Sequence, residues 1–470
     1  MQWLLGSSSP SFDGDHSSNT IHSSHDAKES SGFTHRLPPE LLAEIFLIGL
    51  ESLSAQRKDY TAVNTYLVRL TAVCAFWRSM AISTPTLWAK IRCIYYTPKK
   101  IGRVAAFLRM QLERSQKVLL DLELVTGYSS DTRSTARVVG IIYPHLHRCH
   151  TIALELYNAR DRRMLLPLPG PLKNLTSLAI GDRGECLRKK CIITSTDTPI
   201  LRNLEYMAPL TALRAMQTSN LTHILLEGGT LGGAMGILSR CPAAQSVVIT
   251  TRIKRFDVFP RPFTLSDLTL FSAPRELAMV FQHIVKTPKL EELYLDTLGE
   301  LDRLPDINHL RVLPIQGLKK VTLIDTILSY RPEELYDFLV WHPGIEQLTL
   351  RRCGDPFVVS AMLVHGHKKD TAYDPLLQEL GLPEDYGPLL PSLTMLCFQC
   401  TTGASNSKRN KLLGACVIDL LELRPTLSFA ASASEQSFSH SEVQLGEIEA
   451  RFGDRFSNVP RTRPIGVFFW

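Results

Sequence analysis

The chain has 470 residues, of which 44% are hydrophobic and 21% charged, enough apolar material for a large core and enough length for about three domains. A net charge of +6 without a long Lys/Arg run argues against a nucleic-acid face, and no run of about 18 apolar residues offers a membrane span. The ten cysteines show no framework spacing and MQWLLGSSSP lacks the make-up of a secretory signal, so the expected setting is reducing: cytoplasmic, nuclear or both.

Residues 1–35 are rich in Ser, His, Asp and Gly and carry no periodicity, which predicts a disordered tail. The first helical pattern opens at Leu37-Pro38-Pro39-Glu40, with proline where a first turn tolerates a missing N–H and an acid near the positive helix end. Leu41, Leu42, Ile45, Phe46 and Leu50 then read as one wide apolar stripe. Beyond a polar link from Glu51 to Thr65, a second pattern carries Leu67, Leu70, Val73, Cys74 and Trp77. A third, opened by Pro85, carries Leu87, Trp88 and Ile91. Three helices cannot enclose all of these side chains, because a unit of about 60 residues hides only about 60% of its unfolded surface. Each large apolar group left outside forgoes roughly 1.5–3 kcal/mol, so the surplus predicts a partner surface.

LPPELLAEIF, VCAFWRSMA and STPTLWAKI resemble the three blocks of the F-box, in order, and especially those of the expanded fungal F-box family. The link from Glu51 to Thr65 is longer than in many F-boxes. The resemblance implies that residues 36–92 bind a Skp-family adaptor and through it a cullin-RING ubiquitin ligase, the chemistry residing on other subunits and this chain being no enzyme. The positions matching the adaptor-facing motif are Leu37, Pro38, Leu41, Leu42, Ile45, Val73, Trp77, Leu87 and Trp88, some of which must instead form the small core.

Ile101, Val104, Leu108 and Leu112 predict a linker helix within residues 93–116. Period two follows, with Val118, Leu120, Leu122 and Leu124 on one face of a strand. Then a triplet, apolar-x-x-apolar-x-apolar, recurs from Cys149/Ile152/Leu154 through Leu175/Leu178/Ile180, Leu221/Ile224/Leu226, Leu265/Leu268/Leu270 and Leu290/Leu293/Leu295 to Leu393/Leu396/Phe398. Successive first members lie 26, 26, 20, 23, 21, 25, 28, 27 and 48 residues apart, and all but the last interval fit the roughly 20–29 of leucine-rich repeats. Pro199, Pro242, Pro288, Pro343 and Pro391 each stand two residues before a first member, ending helical patterns such as Leu277/Val280/Phe281/Ile284 and Leu335/Phe338/Leu339 in phase with the repeat. The expected architecture is α/β: an N-terminal three-helix F-box followed by a leucine-rich-repeat-like α/β solenoid over residues 117–425, with an insertion near 365–388. A last helix runs from Ala415 to Leu423. Residues 426–470, ending in RPIGVFFW, form a tail that either caps the final repeat or docks a partner.

His145, His147, Cys149 and His150 hold metal-ligating atoms, but Cys149 already anchors a repeat and His150 would oppose the others on an extended segment. Cys397-x-x-Cys400 lacks a second pair, and the sequons at Asn174 and Asn220 thread repeat anchors. No phosphate-binding, hydrolase or zincin motif occurs, so no cofactor or metal is expected. Strand positions beside the buried anchors, among them Glu227, Phe271, Tyr294, Asp296, Thr349 and Arg351, are expected to face the concave side of the repeats. There Tyr and Arg suit recognition of a target protein. The two functional readings are the substrate-recognition subunit of an SCF-type (Skp, cullin, F-box) ligase and a non-ligase interaction scaffold with the same fold.

Overall fold

In the computed structural model, helix α1 (Pro39–Ala55) begins on a proline whose missing N–H is harmless in a first turn, and the Leu42 N–H closes that turn onto the Pro38 carbonyl. The structure describes residues 37–55, 62–95, 101–127, 132–157, 164–165, 168, 170–182, 198–207, 218–227, 231–250, 261–274, 285–296, 315, 317–324, 332–351, 356–365, 388–400, 407–433 and 448–458. The Ser-rich stretch before 37, nearly all of the polar insertion, the pattern from Leu277 to Ile284 and the terminal RPIGVFFW lie outside the described residues. The chain divides into two units: Met1–Leu175 with Asp182–Cys186 and Thr196–Thr198, and the remainder.

In the first unit α1 is followed by α2 (Ala62–Val73), α3 (Ala75–Ser83) and a 3-10 turn, Pro85–Trp88. The chain then alternates strand and helix: β1 (Lys90–Tyr95), α4 (Ile101–Arg114), β2 (Leu120–Thr126), α5 (Thr132–Ile142), a 3-10 turn (Tyr143–Arg148) and β3 (Cys149–Leu156). The strands pair in parallel in the order β1-β2-β3, stacking Ile91 on Leu122 and Leu122 on Ile152. The pattern of β2 holds, with Leu120, Leu122 and Leu124 buried and Leu119 exposed. β1 is a strand that the linker reading overlooked. Its KIRCIY alternates only once around Arg92, whose guanidinium pairs with Glu123 on the neighbouring strand. Arg148 closes the C-terminal end of α4 by donating to the Ser115 and Val118 carbonyls at 3.2 and 2.8 Å, supplying donors to acceptors that a helix leaves open.

The second unit carries β4 (Ser177–Asp182), β5 (Asn203–Met207), β6 (His223–Glu227), β7 (Ser246–Ile249), β8 (Phe263–Thr264), β9 (Leu270–Pro274), β10 (Val285–Lys286), β11 (Glu292–Asp296), β12 (Lys320–Ile324), β13 (Gln347–Arg351), β14 (Met395–Cys400), β15 (Ser428–Ala433) and β16 (Phe456–Asn458). β8 and β10 pair with each other. The rest follow in parallel, β4-β5-β6-β7-β9-β11-β12-β13-β14-β15-β16. Described helices are α6 (Leu231–Leu238), α7 (Pro332–Trp341), α8 (Pro356–His365) and α9 (Ser407–Leu423), the last starting well before Ala415. Among the described residues, no helix is long and apolar enough to cross a membrane.

The proline phase has a structural cause. Ala244, Leu290, Ile345, Leu393 and Leu427 each donate their N–H to the carbonyl three residues earlier, so Pro242, Pro288, Pro343, Pro391 and Pro425 occupy the second position of a turn, where φ is already set for them. After the turn one carbonyl accepts two successive N–H groups of the next strand: Thr222 from Gln245 and Ser246, Gln245 from Thr269 and Leu270, Thr269 from Glu291 and Glu292, Lys319 from Glu346 and Gln347. This repeated bond sets the register. It aligns Leu204, Ile224, Val247, Phe271, Leu293, Val321, Leu348, Leu396 and Phe429 across successive strands. The parallel run continues through β15 and β16, past residue 425 where the repeat pattern fades in sequence.

The register corrects one triplet. The triplet in register is Leu268, Phe271 and Ala273 rather than Leu265, Leu268 and Leu270: Leu265 and Leu268 are both buried ahead of β9, Phe271 and Ala273 are buried within it, and Leu270 is half-exposed. DLTLFSAP contains apolar residues at both candidate registers, and only pairing chooses between them. The ion pair Lys289–Asp267 at 2.8 Å joins the residues just before Leu290 and Leu268, as expected for the corrected register. Phe271, expected to face a target, therefore lies inside, because a one-residue slip moves a strand side chain to the other face. Asn174 and Asn220 occupy this same pre-anchor position and donate their side-chain amides back to His147 and Pro199 carbonyls at 2.9 and 2.6 Å.

Arg424 is buried after α9 with its guanidinium on the Leu389 and Leu390 carbonyls, and burial lowers its pKa to about 10, leaving it charged at neutral pH. His342, buried at the end of α7 with Phe338 4.8 Å away, has an Nε2 that lacks a partner among the described residues. Burial, opposed by a backbone hydrogen bond at Ile315, holds its pKa below the ordinary 6.5.

Phe271→Ala is expected to cost about 3–5 kcal/mol of unfolding free energy and Leu270→Ala about 1 kcal/mol. Urea titrations giving the opposite order would restore the Leu265/Leu268/Leu270 register. For His342 the unfolded chain takes the proton first, so its contribution to stability is complete above 6.5 and is lost as pH falls toward the lower folded value. Denaturation midpoints at several pH values between about 7.5 and 5.5 should fall less steeply for His342→Phe than for the native chain.

Candidate functional site

The sequence stripe of α1 is two stripes in the structure. Leu42, Phe46 and Leu50, at i, i+4 and i+8, are each 1% exposed and enter a core with Val63, Leu67, Leu70, Ala81, Leu87 and Trp88. Leu41, Ile45 and Ile48, at i, i+4 and i+7, form the second. They remain 49%, 49% and 60% exposed. Both stripes keep helical spacing, so α1 is apolar on a face that packs and on a face that does not. Leu37 is half-buried and Pro38 exposed at the start of the helix.

The core side is closely specified. Tyr66 on α2 donates its hydroxyl to the Phe46 carbonyl at 3.2 Å, and burial raises its pKa. A Cβ at Gly49 would lie 2.2 Å from that hydroxyl oxygen, so glycine leaves the space that the Tyr66 phenol occupies against α1. Trp88 is enclosed: its indole N–H donates to the Ala81 carbonyl at 2.7 Å and the Arg114 guanidinium lies 4.4 Å above its ring. Trp77 is half-buried against Phe46, with ring centroids 4.9 Å apart and tilted by 57°. Its indole nitrogen is buried and finds no acceptor among the described residues.

A single-residue break at Cys74 separates α2 from α3. The Cys74 sulfur accepts the Trp77 N–H at 3.4 Å as an N-cap, and Arg78 donates to the Thr71 carbonyl at 2.8 Å. The break leaves Val73 59% exposed, and Ile82 on α3 is also exposed.

Of the nine positions singled out for an adaptor, Leu41, Ile45, Val73 and Pro38 are therefore open, and Leu37 and Trp77 are partly covered. Leu42, Leu87 and Trp88 are interior. A small helical unit keeps its largest rings for its own core, and the indole N–H of Trp88 already has an acceptor inside it. Ile48 and Ile82 are exposed positions missed in the sequence. The i, i+4, i+7 spacing from Leu41 was available to find Ile48, whereas Ile82 has no such signal.

Among the strand positions expected to face a target, Glu227 is exposed and Tyr294 and Arg351 are partly exposed. Tyr294 donates to Glu292 at 3.3 Å, and Glu292 holds Lys320 at 2.7 Å on the next strand. Burial first, then the Glu292 charge, pushes the Tyr294 phenol up to about 12, against an opposing pull from Arg351. Thr349 is buried despite lying between Leu348 and Leu350, since short side chains in register with Thr322 and Cys397 are shaded by neighbouring strands. The Asp296 side chain lies outside the described residues.

Burial pushes the Cys149 thiol up to about 12, and His145 sits on the preceding 3-10 turn. No group of three or more His, Cys, Asp or Glu suited to a metal ion occurs among the described residues.

Residues 34–94 match the family model described as F-box-like. The match covers the helices whose exposed and buried faces are given above. No curated protein matches the chain. Among solved structures, the crystal structure of a TLR13–ssRNA13 complex is 15% identical over 68% of this chain, with a TM-score of 0.30, too low to carry an argument. The chain spans 43% of the length of that structure.

Trp88→Phe is expected to cost about 1–3 kcal/mol by leaving the Ala81 carbonyl buried without its donor, whereas Trp77→Phe removes a donor that has no partner among the described residues and should be close to neutral. Thermal or urea unfolding of the two variants checks this, and equal losses would contradict the assignment.

Proposed function

We propose that this chain is the substrate-recognition subunit of an SCF-type ubiquitin ligase acting in the cytoplasm or nucleus. The F-box-like helices dock a Skp-family adaptor and through it a cullin, and a leucine-rich-repeat-like surface holds a target protein. The chain itself is not the catalyst. The observation that carries this reading is the second apolar stripe of α1. Leu41, Ile45 and Ile48 stay in water although the same helix has a packed face, and each forgoes roughly 1.5–3 kcal/mol that a partner would recover. That stripe falls inside the segment matched by the F-box-like family, whose general partner is a Skp-type adaptor. Val73 and Ile82 on the next two helices are further exposed apolar side chains within the same matched segment.

For the target surface the supporting features are Glu227, Tyr294 and Arg351 on strands held in register by backbone bonds. Rigid Tyr and Arg side chains concentrate binding energy at protein interfaces.

Leu41→Asp/Ile45→Asp in the full chain is expected to abolish adaptor pull-down while shifting the unfolding midpoint little, because both side chains already face solvent. Retained adaptor binding would overturn the proposal. Adaptor capture without any co-purifying cullin would favour the non-ligase scaffold.

A further inference from the structure

Helices α4 and α5 of the first unit flank a cleft of about 570 Å³, a volume suited to a small organic ligand. Two arginines are among its lining residues, Arg109 on α4 and Arg137 on α5, both exposed. Neither has a hydrogen-bond or ion-pair partner among the described residues. Glu113, one helical turn beyond Arg109, is the carboxylate lining the same cleft. Two cations against one carboxylate leave a positive excess, which a neutral guest would not balance and a cationic guest would aggravate. Guanidinium groups also cannot coordinate a metal ion, whereas their planar forks match the oxygens of a phosphate or carboxylate.

His145 also belongs to the lining. Its Nδ1 lies 3.5 Å from the Arg148 guanidinium, which has only N–H donors, so Nδ1 accepts and the ring proton belongs on Nε2. The lining is not polar throughout: Leu112 and Ile141 contribute apolar surface, and a Cβ added at Gly140 would meet nothing within 4 Å. The lining thus combines two cationic side chains with apolar surface.

We propose that this cleft binds a phosphate group, free or esterified to a small organic body, held between Arg109 and Arg137 with the His145 ring N–H as a further donor. This site uses none of the side chains assigned to the adaptor or the target, so it stands or falls independently of the ligase reading.

The test is calorimetric titration of the full chain with inorganic phosphate and, separately, with phenyl phosphate. Both probes should bind, phenyl phosphate more tightly because of the apolar lining. Equal affinities would assign the site to free phosphate rather than to an ester. Arg109→Gln/Arg137→Gln is expected to weaken binding by about tenfold or more, the loss of at least one charge-assisted contact. Glu113→Gln is expected to tighten it severalfold by removing the opposing charge. No binding of either probe to the native chain, or unchanged affinity in the double arginine variant with native far-UV circular dichroism, would overturn the proposal. If the double variant loses its native spectrum, Glu113→Gln decides: tighter binding supports the site, and unchanged or weaker binding overturns it.

Discussion

In the second unit, everything depends on one backbone contact renewed with each strand. A carbonyl just after the turn accepts two successive N–H groups from the strand that follows, as Thr222 does from Gln245 and Ser246 and Thr269 from Glu291 and Glu292. A parallel strand has no local hairpin to fix its register, so this bond does that work. Once it is made, the anchors from Leu204 to Phe429 fall into line, and charges at equivalent positions meet as Lys289–Asp267, Lys319–Glu291 and Lys320–Glu292. Surface pairs of this kind add little energy. Their value is as markers of a register that the backbone has already set.

The first unit works under a different limit, the amount of apolar surface that a few short helices can cover. Gly49 leaves room for the Tyr66 phenol against α1, and Trp88 fills the space between α3 and the preceding helices with its N–H satisfied. With that core complete, a second row on α1 has nowhere to go. Leu41, Ile45 and Ile48 are in water as a consequence of packing. The tryptophans divide in the same way: the enclosed one is fully bonded, and the half-buried one keeps a buried donor unmet among the described residues.

Arginine has a recurring structural part that composition does not suggest. Arg148, Arg424 and Arg455 each turn a guanidinium onto backbone carbonyls at or near a helix end or turn, supplying donors where the chain leaves acceptors open. Arg109 and Arg137, both exposed, make no such contact among the described residues.

What the amino-acid order determined by itself were the features that depend on local chemistry. The proline start of α1, the alternation of β2, the turn prolines ahead of Leu290, Ile345 and Leu393, and the helix around Leu335, Phe338 and Leu339 are all legible as spacing and backbone preference. Tertiary structure alone decided the questions in which two arrangements satisfy the same pattern. In DLTLFSAP either register buries leucines, and pairing with β7 and β11 chose Phe271. On α1 adjacent leucines 41 and 42 are equally apolar, and only the position of α2 and the 3-10 turn sent Leu42 inward. Trp88 looks like a docking residue in sequence because ring size says nothing of direction. Its place inside the core follows from an acceptor, the Ala81 carbonyl, that exists only once the helices have packed.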